Sequence, residues 1–211
     1  MPEDKQSLRT VCVPAVVALV LALAAADPAQ AHHAMGGRMP ETFAQGLLSG
    51  LGHPVIGIDH LAFIVAMGLV VGVANLSLAI PLVFVAASAL GVMLHVGGLP
   101  LPAAEVAVAA SVLLAGAAIA CGRRLWPSGW LALFAVAGLF HGYAFGEAVV
   151  GAERAPIAAY LLGLVVVQAA LATGVALLVR RANSQAVSPR LAGAAIAGAG
   201  FAILAGQLLP G

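Results

Sequence analysis

His53, Asp59 and His60 fall within one short stretch of the chain, and His141 and Glu147 within another. Imidazole and carboxylate together, without thiolate, form a borderline-hard ligand set. Such a set suits Ni²⁺, Co²⁺ or Zn²⁺ and argues against Cu(I), which prefers Cys or Met. His32 and His33 form a further pair near a predicted cleavage point, where a new amino terminus would help them collect a divalent ion. An internal disulfide and a Cys-rich metal site are excluded: Cys12 lies in a segment expected to be removed, and Cys121 then stands alone.

Spacing limits what these groups can do together. His53 and His60 are about two helical turns apart, so a continuous helix would put both on one face. Pro54 and Gly57 lie between them and alter that phase. Asp59 and His60 are neighbours that diverge by about 100° on an ideal helix, and both face one ion only near an unwound turn. His141 and Glu147 do not share a helical face and read as a deep and a shallow step. His95, near a segment end, reads as a helix–helix hydrogen-bond partner. Glu105, just after Pro100-x-Pro102, reads as a first-turn acid at a helix start.

The elements that hold these groups must be read against an unusual composition. Hydrophobic residues make up 63% of the chain and charged residues 8%, against roughly 25% charged in ordinary soluble domains. Mean hydropathy is +1.09. The solvent for most of this chain is therefore lipid. A net charge of +1 excludes a basic nucleic-acid footprint. Lys5 is the sole lysine, so there is no Gly-Lys-Ser/Thr loop for ATP. An ionisable group in the middle of a membrane helix costs ~2.5–3.5 kcal/mol on the insertion scale. Each one here needs a reason.

The predicted fold is all-α: a polytopic membrane helical bundle with six transmembrane helices after a cleaved signal peptide, plus a short broken or re-entrant helix. Lys5 and Arg9, the apolar run 11–26 and Ala29-Gln30-Ala31 read as a signal peptide over 1–31. A periplasmic histidine-containing segment, 32–42, and a transmembrane domain, 43–211, follow. Spans are expected near 57–75, 78–97, 103–121, 129–149, 156–179 and 191–209, each close to the ~20 residues that cross the hydrocarbon. The apolar stretch 43–52 reaches only about 15 Å and does not cross alone.

Charge sets the orientation. With the mature N-terminus and the C-terminus periplasmic, Arg123, Arg124, Arg180, Arg181 and Arg190 are cytoplasmic, while Arg38 and Arg154 stay outside. If 43–52 crossed, every later loop would reverse and the positive-inside rule would fail. The stretch is therefore a re-entrant piece or the upper part of a broken helix, interrupted at His53-Pro54 and Gly57. Irregular backbone at that depth is tolerated only where protein buries it or it lines a cavity. The metal-ligand candidates then all fall in the outer half of the membrane, and the inner half holds neutral groups such as Ser111 and Thr173. Gly46-x3-Gly50, Gly68-x3-Gly72 and Gly142-x3-Gly146 point to tight helix packing.

The stretch His53-Pro54-Val55-Ile56-Gly57-Ile58-Asp59-His60 resembles the His-Pro-x-x-Gly-x-Asp-His pattern of the HupE/UreJ family. Phe140-His141-Gly142-Tyr143-Ala144-Phe145-Gly146-Glu147 is similar to its second signature, Phe-His-Gly-x-Ala-His-Gly-x-Glu. Phe145 stands where that family usually has a second histidine, and Glu147 follows Gly146 directly. The resemblance implies a secondary permease for nickel, with cobalt as a further cargo, in a bacterial inner membrane serving hydrogenase or urease maturation. It also implies metal-handling roles for His53, Asp59, His60 and His141. No resident cofactor is expected; the divalent metal is cargo and the lipid bilayer the surroundings. Two competing functions use the same residues: an intramembrane zinc-dependent hydrolase, and a non-transporting metal-binding or delivery subunit.

Overall fold

Among the described residues the first helix begins at Thr42, whose side chain accepts the Gln45 N–H while the Gln45 side chain accepts the Thr42 N–H. This reciprocal cap opens α1, Phe43–Ile56. A computed structural model describes residues 38–122, 126–181 and 188–209; the expected signal peptide, His32 and His33 lie outside them. Helix α1 ends at Gly57, whose extended backbone (φ −71°, ψ 108°) starts α2, Ile58–Val73, at an angle of 75°. The break was expected at both His53-Pro54 and Gly57, but only Gly57 leaves the helix. Pro54 lies inside the last turn, where its missing N–H removes the bond to the Gly50 carbonyl, yet the helix runs on and the Gly57 N–H reaches His53 O at 3.0 Å.

The chain continues through α3 (Pro81–Val96), α4 (Ala104–Ala120) and α5 (Pro127–Gly146), which runs into a 3₁₀ turn, Glu147–Val149. Then come α6 (Arg154–Arg181) and α7 (Pro189–Leu208), and no strand occurs among the described residues. Proline opens α3, α5 and α7, where its missing N–H would have been unpaired anyway. All six expected spans coincide with helices, though not all at full length. Helix α5 with its 3₁₀ turn, α6 and α7 are long and apolar enough to cross a membrane alone, and α1 with α2 qualifies as one bent unit. Helices α3 and α4 have 16 and 17 residues, about 24–26 Å. Pro81 and Gly97-Gly98 bound the first; Ala103, with a left-handed φ of 57°, and Gly122 bound the second.

Glycine sets the pairing. Gly46 and Gly50 of α1 lie against the backbone of Pro156 and Tyr160 in α6, and Gly68 and Gly72 of α2 against Ala172 and Ala176 further along it. Gly138 and Gly142 of α5 meet Phe84 and Ser88 of α3, while Gly116 of α4 and Gly193 of α7 pack on one another's helices. A Cβ at any of these positions would strike a neighbouring backbone, so small residues fix the helix spacing. The order of contacts also fixes direction. Both α1 and α2 run the same way along α6, so the broken pair makes one traverse of the bundle, not two. That agrees with the reading of 43–52 as the upper part of a broken helix. Large apolar side chains such as Leu48, Leu114, Leu162, Leu178 and Phe201 point outward and are exposed.

Candidate metal site

The break at Gly57 is where the ionisable side chains gather. A Cβ on Gly57 would lie 2.6 Å from Cδ2 of His60 and 3.3 Å from Asp59 Oδ1. The absence of a side chain there is what lets the His60 ring fold back toward α1. Asp59, in the first turn of α2, accepts the His60 backbone N–H at 2.8 Å, and its Oδ1 lies 3.8 Å from His60 Nε2. Rings of His53 and His60 meet edge to face with centroids 5.9 Å apart. His53, Asp59, His60 and His141 are all at least 96% buried, with exposures of 2%, 4%, 1% and 0%.

His141 reaches this group from α5. Its Nδ1 lies 2.8 Å from Nδ1 of His60, although the two residues are 81 positions apart in sequence. A deeper, separate step was expected for His141; the packing of α5 into the bundle makes it part of the same cluster. Ser111, expected with the neutral groups of the inner half, is also here, with its Oγ 2.9 Å from His141 Nε2.

Proton positions follow from these partners. Ser111 gives its only hydroxyl proton to Val108 O at 2.7 Å, so its oxygen accepts from His141 Nε2–H. In the neutral ring the His141 lone pair is then on Nδ1, the atom facing His60. Tyr160 likewise gives its proton to Phe145 O at 2.8 Å and accepts from His53 Nδ1–H at 2.8 Å. The basic nitrogen of neutral His53 is therefore Nε2. Two of the three imidazoles thus donate their outer N–H to a hydroxyl anchored on a backbone carbonyl. This is the arrangement by which proteins orient metal-binding histidines.

Two imidazole nitrogens bound to one ion at about 2.1 Å each would sit roughly 3 Å apart. The His60–His141 separation fits that geometry. His60 donates its Nδ1 proton to His141; an ion held between the two Nδ1 atoms would take the place of that proton. Among the described residues, no three His, Cys, Asp or Glu side chains are arranged to hold one ion. The cluster is a converging pair with neighbours, not a closed cage.

Phe145, fully buried, occupies the remaining wall. Its ring lies over His60 with centroids 4.0 Å apart and meets His53 at 5.0 Å. Glu147 is not brought in: α5 ends at Gly146, and the 3₁₀ turn carries Glu147 to an exposed position. His95 serves helix packing, donating from Nδ1 to Tyr143 O at 2.6 Å and stacking on the Tyr143 ring. Glu105 occupies the first turn of α4.

Sequence reasoning missed Tyr160 and the site role of Ser111. Both are hydroxyls in largely apolar helices, and Tyr160 falls on the Pro156, Gly163, Leu164, Ala172 stripe that α6 buries. That stripe was the available signal.

Comparison with known proteins agrees with the motifs. The family described as HupE / UreJ protein matches residues 19–203. Protein HupE of Rhizobium leguminosarum bv. viciae is 32% identical over 187 residues, covering 87% of this chain and 94% of that protein. No solved structure matches. By the extent of both matches, this chain is a member of the HupE/UreJ family.

Proposed function

We propose that the chain is a secondary permease that carries a divalent transition-metal cation, nickel foremost and cobalt or zinc as alternatives, from periplasm to cytoplasm across the bacterial inner membrane. Its family is associated with nickel or cobalt uptake or accessory roles, and is transporter-like rather than enzymatic. The observation that carries the reading is the buried pair of His60 and His141, whose Nδ1 atoms converge at 2.8 Å beside the helix break. Costly groups at such a place in an apolar bundle mark an ion path.

The proposed topology counts α1 and α2 as one crossing and α3 to α7 as five more, with both termini periplasmic. Arg180, whose guanidinium reaches the carbonyls of Val71 and Leu76 at the end opposite the imidazoles, is then on the cytoplasmic side. Hydrated metal collects near the mouth, with His32 and His33 as its first contact, and loses water to His53, Asp59, His60 and His141. An incomplete ligand set suits this task, because binding must be weak enough to release. Energy comes from a gradient or a coupled ion, since the chain has no ATP motif.

Radiolabelled-nickel uptake in a permease-deficient host tests the proposal. Wild-type chain should restore uptake, and His60→Ala combined with His141→Ala should abolish it. Uptake unchanged in the double variant would overturn the reading. Imidazole ligands must be deprotonated to bind, so binding should weaken as external pH falls from 7 to 5. Titration of the purified protein with Ni²⁺ at several pH values reads this directly.

A further inference from the structure

Gln168 lies on the buried stripe of α6, about 12 Å further along the helix than Tyr160. It is fully buried, its Nε2 donates to Ser88 Oγ at 3.1 Å, and its Oε1 meets no hydrogen-bond donor. Ser88 in turn lies directly against Gly142, the residue after His141. The hydroxyl therefore stands level with His141, and the amide bound to it comes from α6 at a point nearer the Arg180 end than Tyr160. Beyond them the stripe is Ala172 and Ala176, backed by the apolar cluster of Phe63, Met67, Phe84 and Phe134.

A buried amide oxygen without a donor is rare, and a folded protein keeps one where something else supplies the partner. Here the neighbouring traffic identifies it. A cation leaving nitrogen ligands for an apolar stretch needs oxygen acceptors for the water it retains. A neutral amide oxygen supplies one without adding a charge that would hold the ion back.

We propose that Gln168 Oε1, held by Ser88, is the inner acceptor step of the path. It takes hydrogen bonds from the water of a partly hydrated divalent cation that has just left the imidazoles. The inference rests on the permease reading above and extends it to the inner half of the molecule.

The test uses the full chain in sealed phosphatidylethanolamine–phosphatidylglycerol vesicles, with the initial rate of Ni²⁺ entry as one readout. The equilibrium Kd of the detergent-solubilised protein for Ni²⁺ is the other. Gln168→Met keeps the unbranched shape and removes the oxygen. Entry should slow at least about tenfold while Kd stays within about twofold, because the lost contact belongs to the barrier and not to the bound state. Entry within about twofold of wild type would overturn the proposal. So would equal losses in entry and Kd, which would make the amide a support of the cluster. If Gln168→Met does not assemble, Ser88→Ala removes the hydroxyl that orients the amide; slower entry at unchanged Kd supports the step, and unchanged entry overturns it. A wild-type chain that binds Ni²⁺ but admits none to the vesicles would instead overturn the permease reading itself.

Discussion

The two ends of α2 are pinned to the bundle in different ways. At its start, around Gly57, three imidazoles, a carboxylate, a serine and a tyrosine are buried together; His53 bonds to the Tyr160 hydroxyl, which donates to Phe145 O, and His141 bonds to the Ser111 hydroxyl, which donates to Val108 O. Further along it Met67 and Val71 belong to an apolar cluster with Phe134, Ala172 and Ala176, and the polar contact described there is Arg180 on the carbonyls of Val71 and Leu76. Glycines hold α1 and α2 against the same helix, α6, at both ends. Rigidity is thus common to both regions, and chemistry is confined to one. The apolar end fixes where the helices sit; the polar end uses those positions to aim nitrogens.

The largest effect expected from breaking this contrast comes from the nitrogens themselves. His60→Ala and His141→Ala together should weaken Ni²⁺ binding by more than the roughly 10–100-fold typical of losing an orienting partner. Phe134→Ala at the apolar end should lower thermal stability and leave Kd of the folded protein nearly unchanged. Isothermal titration alongside a melting curve separates the two. A metal affinity as sensitive to Phe134 as to His60 would erase the distinction.

Glycine substitutions make the same comparison more finely. Gly57 has φ −71°, a conformation open to alanine, so Gly57→Ala acts through space alone: its Cβ would press on the His60 ring. A loss of about 10–100-fold in metal affinity is expected. Gly68→Ala instead presses on Val175 and Ala172. It should reduce stability without moving Kd. Tyr160→Phe comes next, with about a tenfold loss, because His53 then loses the hydroxyl that keeps its proton on Nδ1. Tyr160→Phe with unchanged Kd would mean that His53 does not touch the ion.

Much of this layout was legible beforehand, and the limits have physical causes. Hydropathy located every described helix, since a lipid-facing chain must be apolar wherever it crosses. Gly57, expected as a point of interruption, is where α1 gives way to α2 at an angle of 75°. His53, Asp59 and His60 are close in sequence, so one bend decides their geometry. His141 was a candidate for its type and for its motif; its meeting with His60 depends on how α5 packs, which no spacing rule encodes. Glu147, expected as a shallow step apart from His141, stands exposed beyond Gly146, where the backbone tightens into a 3₁₀ turn that no spacing rule encodes. Ser111 and Tyr160 stayed hidden because a hydroxyl becomes part of a site only through its partners.

Phe145 gives the smallest and most discriminating test. Its ring covers His60 and abuts His53, so the polar end contains one apolar wall where a ligand would fit. An imidazole is smaller than a phenyl ring, and Phe145→His brings a nitrogen among His53 and His60 without crowding. If the cluster is an incomplete cage suited to release, the added ligand should tighten Ni²⁺ binding about fivefold, on the order of 1 kcal/mol. It should also slow uptake at saturating metal, because the ion then leaves the site less readily. Tighter binding with slower uptake would show that the wall keeps the site weak. Weaker binding with slower uptake would make Phe145 a packing wedge like Phe63 and Phe84, and the boundary between the two ends of α2 would move to include it.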